Sequence, residues 1–186
     1  MHIHRFEKLW LGVALLLIVG FIATITYGAI GAGVEMVDDE GGQVDPQALD
    51  EHPEFSDPGV VKTGPNEYHV YIVARQFSYN PGTPDVSRPI RVPTDANVTF
   101  HITSSDVIHG FELAGTNINT MVIPGQVATI KTRFDEADTY GIVCHEYCGA
   151  NHHNMEGKVI AVPSDQYTYN GTSSNNSSSA MTGVPA

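Results

Sequence analysis

The chain has 186 residues, 41% of them hydrophobic and 16% charged, which excludes a disordered polyelectrolyte and leaves room for one domain with a tail. Its 21 acidic against 9 basic residues give a formal net charge of -12, which argues against a nucleic-acid partner because phosphate neutralisation needs Lys and Arg. Two Cys are too few for a fold stapled by disulfides.

The chain opens with Arg5 and Lys8 against Glu7, followed by residues 9–34, which carry no formal charge. About 20 apolar residues cross the hydrocarbon core, whereas the apolar part of a cleaved signal peptide is about 7–15 residues long. Residues 1–34 therefore read as a short cytoplasmic N-terminus and a retained single-pass anchor, with Trp10 and Tyr27 as interfacial aromatics near its ends. The basic end stays in the cytoplasm, so the rest of the chain lies outside the cell membrane. Residues 35–61 read as an acidic linker. Up to Asp57 the segment has nine acids, neither Lys nor Arg, and little periodicity, which is the pattern of a solvated tether.

From residue 62 the composition changes to that of a compact β domain. Residues 67–74 (EYHVYIVA), 97–103 (NVTFHIT), 128–134 (ATIKTRF) and 157–162 (GKVIAV) have alternating or β-branched character. Breaks such as Asn80-Pro81-Gly82 and Pro124-Gly125 separate short strands, as in a sandwich or barrel. The domain is expected over 62–165. Residues 166–186, rich in Ser and Asn, read as a disordered tail.

The chemistry concentrates in residues 144–155 (CHEYCGANHHNM), a C-x3-C-x3-H-x2-M arrangement, with a second element, DVIHGF, at 106–111. Thiolate and thioether together select soft or borderline metals, and imidazole suits copper. A single blue-copper site needs one Cys, two His and a weak axial Met, so this run has one Cys too many. Two Cys in one loop can instead bridge two coppers, with His109 and His152 supplying an imidazole each and Met155 and a loop carbonyl as weak donors. Cys144 and Cys148 alone would also suit a disulfide, and Cys2His2 would suit structural zinc. Zinc has no need of Met155, and the presence of both His weakens the disulfide reading. The C-x3-H spacing favours His152 over His153. His145 is expected to face solvent or a partner, His101 to point outward from its strand, and His52 and His69 to lie at the surface.

This run resembles the copper A loop of subunit II of haem–copper oxidases. The resemblance covers about residues 67–162 plus the single anchor, and takes in DVIHGF, Asn117-Ile118-Asn119 and Pro124-Gly125. It is nearest to the one-helix form of B-type cytochrome c oxidases. It implies an all-β, cupredoxin-like Greek-key barrel carrying a binuclear copper A centre. Cys144 and Cys148 would bridge both coppers, His109 and Met155 would complete one, and His152 with the backbone carbonyl of Glu146 would complete the other. The Glu146 side chain would face the catalytic subunit, where some relatives hold magnesium. The implied function is electron entry: a soluble donor, cytochrome c or a blue-copper protein, reduces the centre, which passes electrons to haem in oxidase subunit I. Docking is expected near His152, Phe77 and Tyr79. The only Trp is Trp10, so the aromatic entry residue of many relatives has no counterpart in the domain. Two other readings are a copper A subunit of a nitric oxide reductase and a stand-alone membrane-tethered cupredoxin.

Overall fold

The computed structural model describes residues 4–28, 37–38, 41–83 and 89–169. The C-terminal end of the expected anchor, the start of the linker and most of the expected tail therefore lie outside the described residues. The chain divides into two units, Met1–Met36 and Val37–Ala186.

The first unit holds α1 (Arg5–Thr26). Its N-terminus is closed by a reciprocal cap in which the Phe6 amide donates to His4 Nδ1 and the His4 amide donates to the Glu7 carboxylate. At about 1.5 Å per residue, the 22 residues of α1 suffice for the hydrocarbon core. Leu, Ile, Val and Phe cover all sides of the helix, so no polar face competes with lipid. The hydroxyls of Thr24 and Thr26 donate to carbonyls one turn back, at 2.9 Å each, which leaves little unsatisfied polarity.

The second unit is built of two sheets. In chain order the strands are β1 (Val37–Asp38), β2 (Val60–Gly64), β3 (Glu67–Arg75), β4 (Ser78–Asn80), β5 (Ile90–Pro93), β6 (Asn97–Ser104), β7 (His109–Leu113), β8 (Asn119–Val122), β9 (Ala128–Thr132), β10 (Thr139–Val143) and β11 (Glu156–Val162). The first sheet runs β1-β9-β6-β3-β2, with β4 also paired to β3, and the second runs β5-β11-β10-β7-β8. Successive strands repeatedly change sheet, and β3 lies parallel to β6, as does β11 to β5. This is the crossing pattern of the expected cupredoxin-like fold rather than of a simple meander.

The period-2 pattern decides which side chains fill the space between the sheets. Val70, Ile72 and Ala74 of β3 and Val98, Phe100 and Ile102 of β6 point inward, against Phe111, Leu113, Ile142 and Val159 of the second sheet. Each of these side chains larger than alanine contributes about 1.5–3 kcal/mol relative to exposure. Cys144, Cys148 and Met155 belong to the same buried cluster, so the candidate site grows out of the core.

The tether reading needs correction over its described part. Leu49 and Phe55 are buried against Tyr71 and Val127 on the outer face of the first sheet. The Val44 amide donates to the Gly125 carbonyl, the Tyr71 amide to the Gly59 carbonyl, and the Tyr71 hydroxyl to Glu54 Oε1 at 3.1 Å. The few apolar residues among the acids thus dock this segment on the domain, which composition alone conceals. Likewise Tyr167 and Tyr169, inside the expected tail, pack edge-on against Tyr68 and donate to the carbonyls of Arg91 and Val60.

Candidate metal centre

Three neighbouring strands of the second sheet bring the motif residues to one end of the domain. His109 opens β7, Cys144 follows β10 directly, and Met155 immediately precedes β11. The loop between β10 and β11 contains a short 3-10 turn, His152–Asn154. The β7–β10 pairing stops at Val143 opposite Glu112, so beyond it loop contacts rather than a ladder hold the site.

The Cys144 and Cys148 sulfurs are free and 3.9 Å apart, well beyond the roughly 2.05 Å of a disulfide. Cys148 Sγ lies 3.6 Å from Met155 Sδ and 3.6 Å from His152 Nδ1, and Cys144 Sγ lies 3.3 Å from the Glu146 carbonyl. The ligand atoms of His109, Cys144 and Cys148 all fall within 4.8 Å of one another. His109 is fully buried and Cys144, Cys148 and Met155 are buried, whereas His152 reaches partly into solvent. The structure thus brings together all six residues singled out in the sequence.

His109 is oriented by a residue that the sequence reading did not single out. Its Nε2 meets Asp106 Oδ1 at 2.8 Å, which leaves Nδ1 buried and without a hydrogen-bond partner. Burial would raise the Asp106 carboxyl, but the Gln76 and Val107 amides and the His109 ring outweigh it and hold the group below its ordinary range. A carboxylate three residues before a histidine is a visible signal, but only the turn after β6 makes the two meet.

Only as thiolates would the two sulfurs need a counter-charge. Burial first, and then the neighbouring Cys144, push the Cys148 thiol up to about 11. A bound cation reverses that preference by favouring thiolate. The arrangement fits copper on three observations: two soft sulfurs lie near each other unjoined, a thioether stands beside them, and the histidine within 4.8 Å of both sulfurs keeps a buried, unsatisfied ring nitrogen.

Two expectations are corrected. Tyr79 lies in the core, only 1% exposed, and its hydroxyl donates to the Gly110 carbonyl at 2.6 Å, so it offers no docking surface. Burial, and then the nearby Cys144, raise its pKa far above the ordinary phenol range. His145 does not project freely either. Its ring lies on the outer side of β7, where a Cβ added to Gly110 would come within 2.7 Å of it. A glycine is required there because the ring occupies the side-chain position. The exposed side chains near the site are instead Tyr147, 79% exposed with its ring 5.9 Å from that of His152, and Val107 and Ile108 just before His109.

Residues 61–162 match the family model described as cytochrome c oxidase subunit II, periplasmic domain. A cytochrome c oxidase subunit 2 from Thermus thermophilus is 42% identical over 164 residues, covering 83% of this chain and 90% of that protein. A heme-copper oxidase subunit 2 from Aeropyrum pernix is 35% identical over 96 residues, which cover 50% of this chain and 41% of its own. Among solved structures, a chain of a heme-copper terminal oxidase dimer superposes with a TM-score of 0.62 at 32% identity, over 85% of this chain and all of the other. With the two-cysteine loop at the end of β10 and an apolar helix ahead of the domain, these likenesses place the chain in the cytochrome c oxidase subunit II family.

Proposed function

We propose that this chain is the electron-entry subunit of a membrane-bound cytochrome c oxidase. It accepts electrons from a soluble donor, a cytochrome c or a blue-copper protein, and hands them to haem in a separate subunit I, where oxygen is reduced to water. The observation that carries this reading is the pair of unjoined buried sulfurs beside the partnerless His109 Nδ1.

Cys144 and Cys148 would hold both ions of a binuclear copper A centre, with His109 and Met155 completing one and His152 and the Glu146 carbonyl the other. Bound there, the copper pair would supply one-electron storage with little change in bonding. The chain's own part is to hold these donors still and dry. Asp106 fixes the His109 ring so that only Nδ1 is offered. The buried sulfurs exclude water, and the strand ends set their positions. Tyr147, Val107 and Ile108 give a donor an apolar landing area at the two ligand-bearing segments. Tyr147, against the partly exposed His152, replaces the absent aromatic entry residue. The Glu146 carboxylate, 43% exposed, is left for the catalytic-subunit interface, where a magnesium ion would find it. The α1 helix would keep the domain on the outer side of the membrane with its N-terminus in the cytoplasm.

The test is electron paramagnetic resonance of the copper-loaded protein. The wild type should show the hyperfine pattern of one electron shared by two copper nuclei. Cys148→Ser should abolish it, and His145→Ala should leave it intact. A pattern from a single copper in the wild type, or a shared pattern surviving in Cys148→Ser, sinks the assignment.

A further inference from the structure

The hairpin between β3 and β4 touches both ligand-bearing segments, yet none of its residues is an expected ligand. Gln76 stands at its turn. Its backbone N–H donates to Asp106 Oδ2 at 2.7 Å, and its side-chain amide donates to the Cys148 carbonyl. The other oxygen of Asp106 holds His109 Nε2 at 2.8 Å. One residue therefore links the orienting carboxylate of one segment to the peptide of the other, across sequence separations of 30 and 72 residues.

Its neighbours do similar work. The Tyr79 hydroxyl holds the Gly110 carbonyl, while the Gly110 N–H donates to Cys144 Sγ at 3.4 Å. The Phe77 ring and the Gln76 amide crowd Gly149, whose φ of +137° and lack of a side chain allow the approach; a Cβ there would lie 2.8 Å from Gln76 Nε2. This brace sits where the β7–β10 ladder has ended. There it adds to the direct links between the two segments, the Gly110 N–H on Cys144 Sγ and the His145 ring over Gly110.

We infer that Gln76 is a positioning residue of the metal centre, a cross-brace that locks the Asp106–His109 unit to the Cys148 loop. The inference rests on the copper reading above. A rigid pair of segments keeps the ligands in one arrangement as the charge they surround changes, and outer contacts of this kind commonly set metal affinity. Gln76→Leu keeps much of the side-chain bulk and removes its donor. Gln76→Glu keeps the shape and replaces the donor by an acceptor facing a carbonyl.

The experiment uses the full chain in detergent, loaded with copper. It measures copper per chain, the rate of copper loss to a chelator, the paramagnetic resonance pattern and the melting of the copper-free form. Both variants should fold and bind two coppers, but should lose them about tenfold faster than wild type and show altered hyperfine splitting. Should Gln76→Leu fail to fold, Gln76→Glu carries the same test. Release rate and spectrum unchanged in a variant with a normal copper pair overturn the role of Gln76 and leave the copper reading standing. A wild type that binds no pair overturns both. Wild-type behaviour in Gln76→Glu at a pH where that carboxyl is ionised also overturns the brace, because a carboxylate has no proton to donate to the Cys148 carbonyl.

Discussion

His69 and His101 lie on the outer face of the first sheet, whereas His109 stands at the end of β7 inside the second. The outer pair satisfies itself. His69 Nδ1 and His101 Nε2 are 2.8 Å apart in near-parallel rings, His101 Nδ1 is 3.4 Å from Thr129 Oγ1, and the Tyr71 ring stacks on His101 with centroids 4.8 Å apart. His109 has one nitrogen tied to a carboxylate and the other buried with nothing to bond, on a ring that comes within 4.8 Å of both cysteine sulfurs. One side-chain type thus reaches two ends. An imidazole whose nitrogens are already hydrogen-bonded can answer only to protons, whereas His109 keeps a buried open nitrogen on a ring within reach of both cysteine sulfurs. Hydrogen-bond accounting separates them, since both are partly or wholly buried.

Three substitutions press on that contrast, from the largest effect to the smallest. Phe55→Ala removes a ring that is 3% exposed and meets Tyr71 edge-on at 5.6 Å, so it should cost about 3 kcal/mol in chemical denaturation. Copper binding should survive, because the outer face and the metal end are separate. Parallel loss of stability and copper would show that the two regions are one unit. Asp106→Asn should weaken copper binding about tenfold, or about 1.4 kcal/mol, with little change in the melting of the copper-free form, because it loosens the ring of His109 without opening the core. An equilibrium competition with a chelator measures this, and equal affinities would remove Asp106 from the site.

The smallest effect concerns acid. Burial first, and then His69 beside it, lower His101 to about 4, with Lys131 acting in the same direction and Glu54 opposing. The folded value lies below the unfolded one of about 6.5, so the folded state resists a proton that the unfolded chain accepts. Stability from this group is complete above about pH 6.5 and is lost as pH falls from there toward 4. The loss should be about 1 kcal/mol once partial exposure is allowed for. His101→Gln should flatten that part of the stability profile; an unchanged slope would show that other groups carry it.

Much of the fold was legible because period-2 alternation needs no partner to be seen. The runs at 67–74, 97–103 and 157–162 became β3, β6 and β11. Other elements were not legible. In the 35–61 segment Leu49 and Phe55 are too sparse among acids to announce burial, and only the face of Tyr71 and Val127 makes them core. His69 and His101 alternate outward as read, yet are half-buried in their own network. Tyr79 has the composition of a surface aromatic in a turn-rich stretch, and its inward direction depends on the pairing of β4 with β3.

By itself the amino-acid sequence determined the apolar helix, the all-β character of the domain and the donor types at their loop spacing. Those follow from local rules: the length of an uncharged run, the alternation of side chains and the reach of a short loop. Tertiary structure alone decided that Asp106 would orient His109, that Gln76 would bind both ligand segments and that His145 would lie over Gly110. The first depends on the turn after β6, and the other two join residues far apart in the chain whose geometry exists only once the two sheets have packed and set the strand ends side by side.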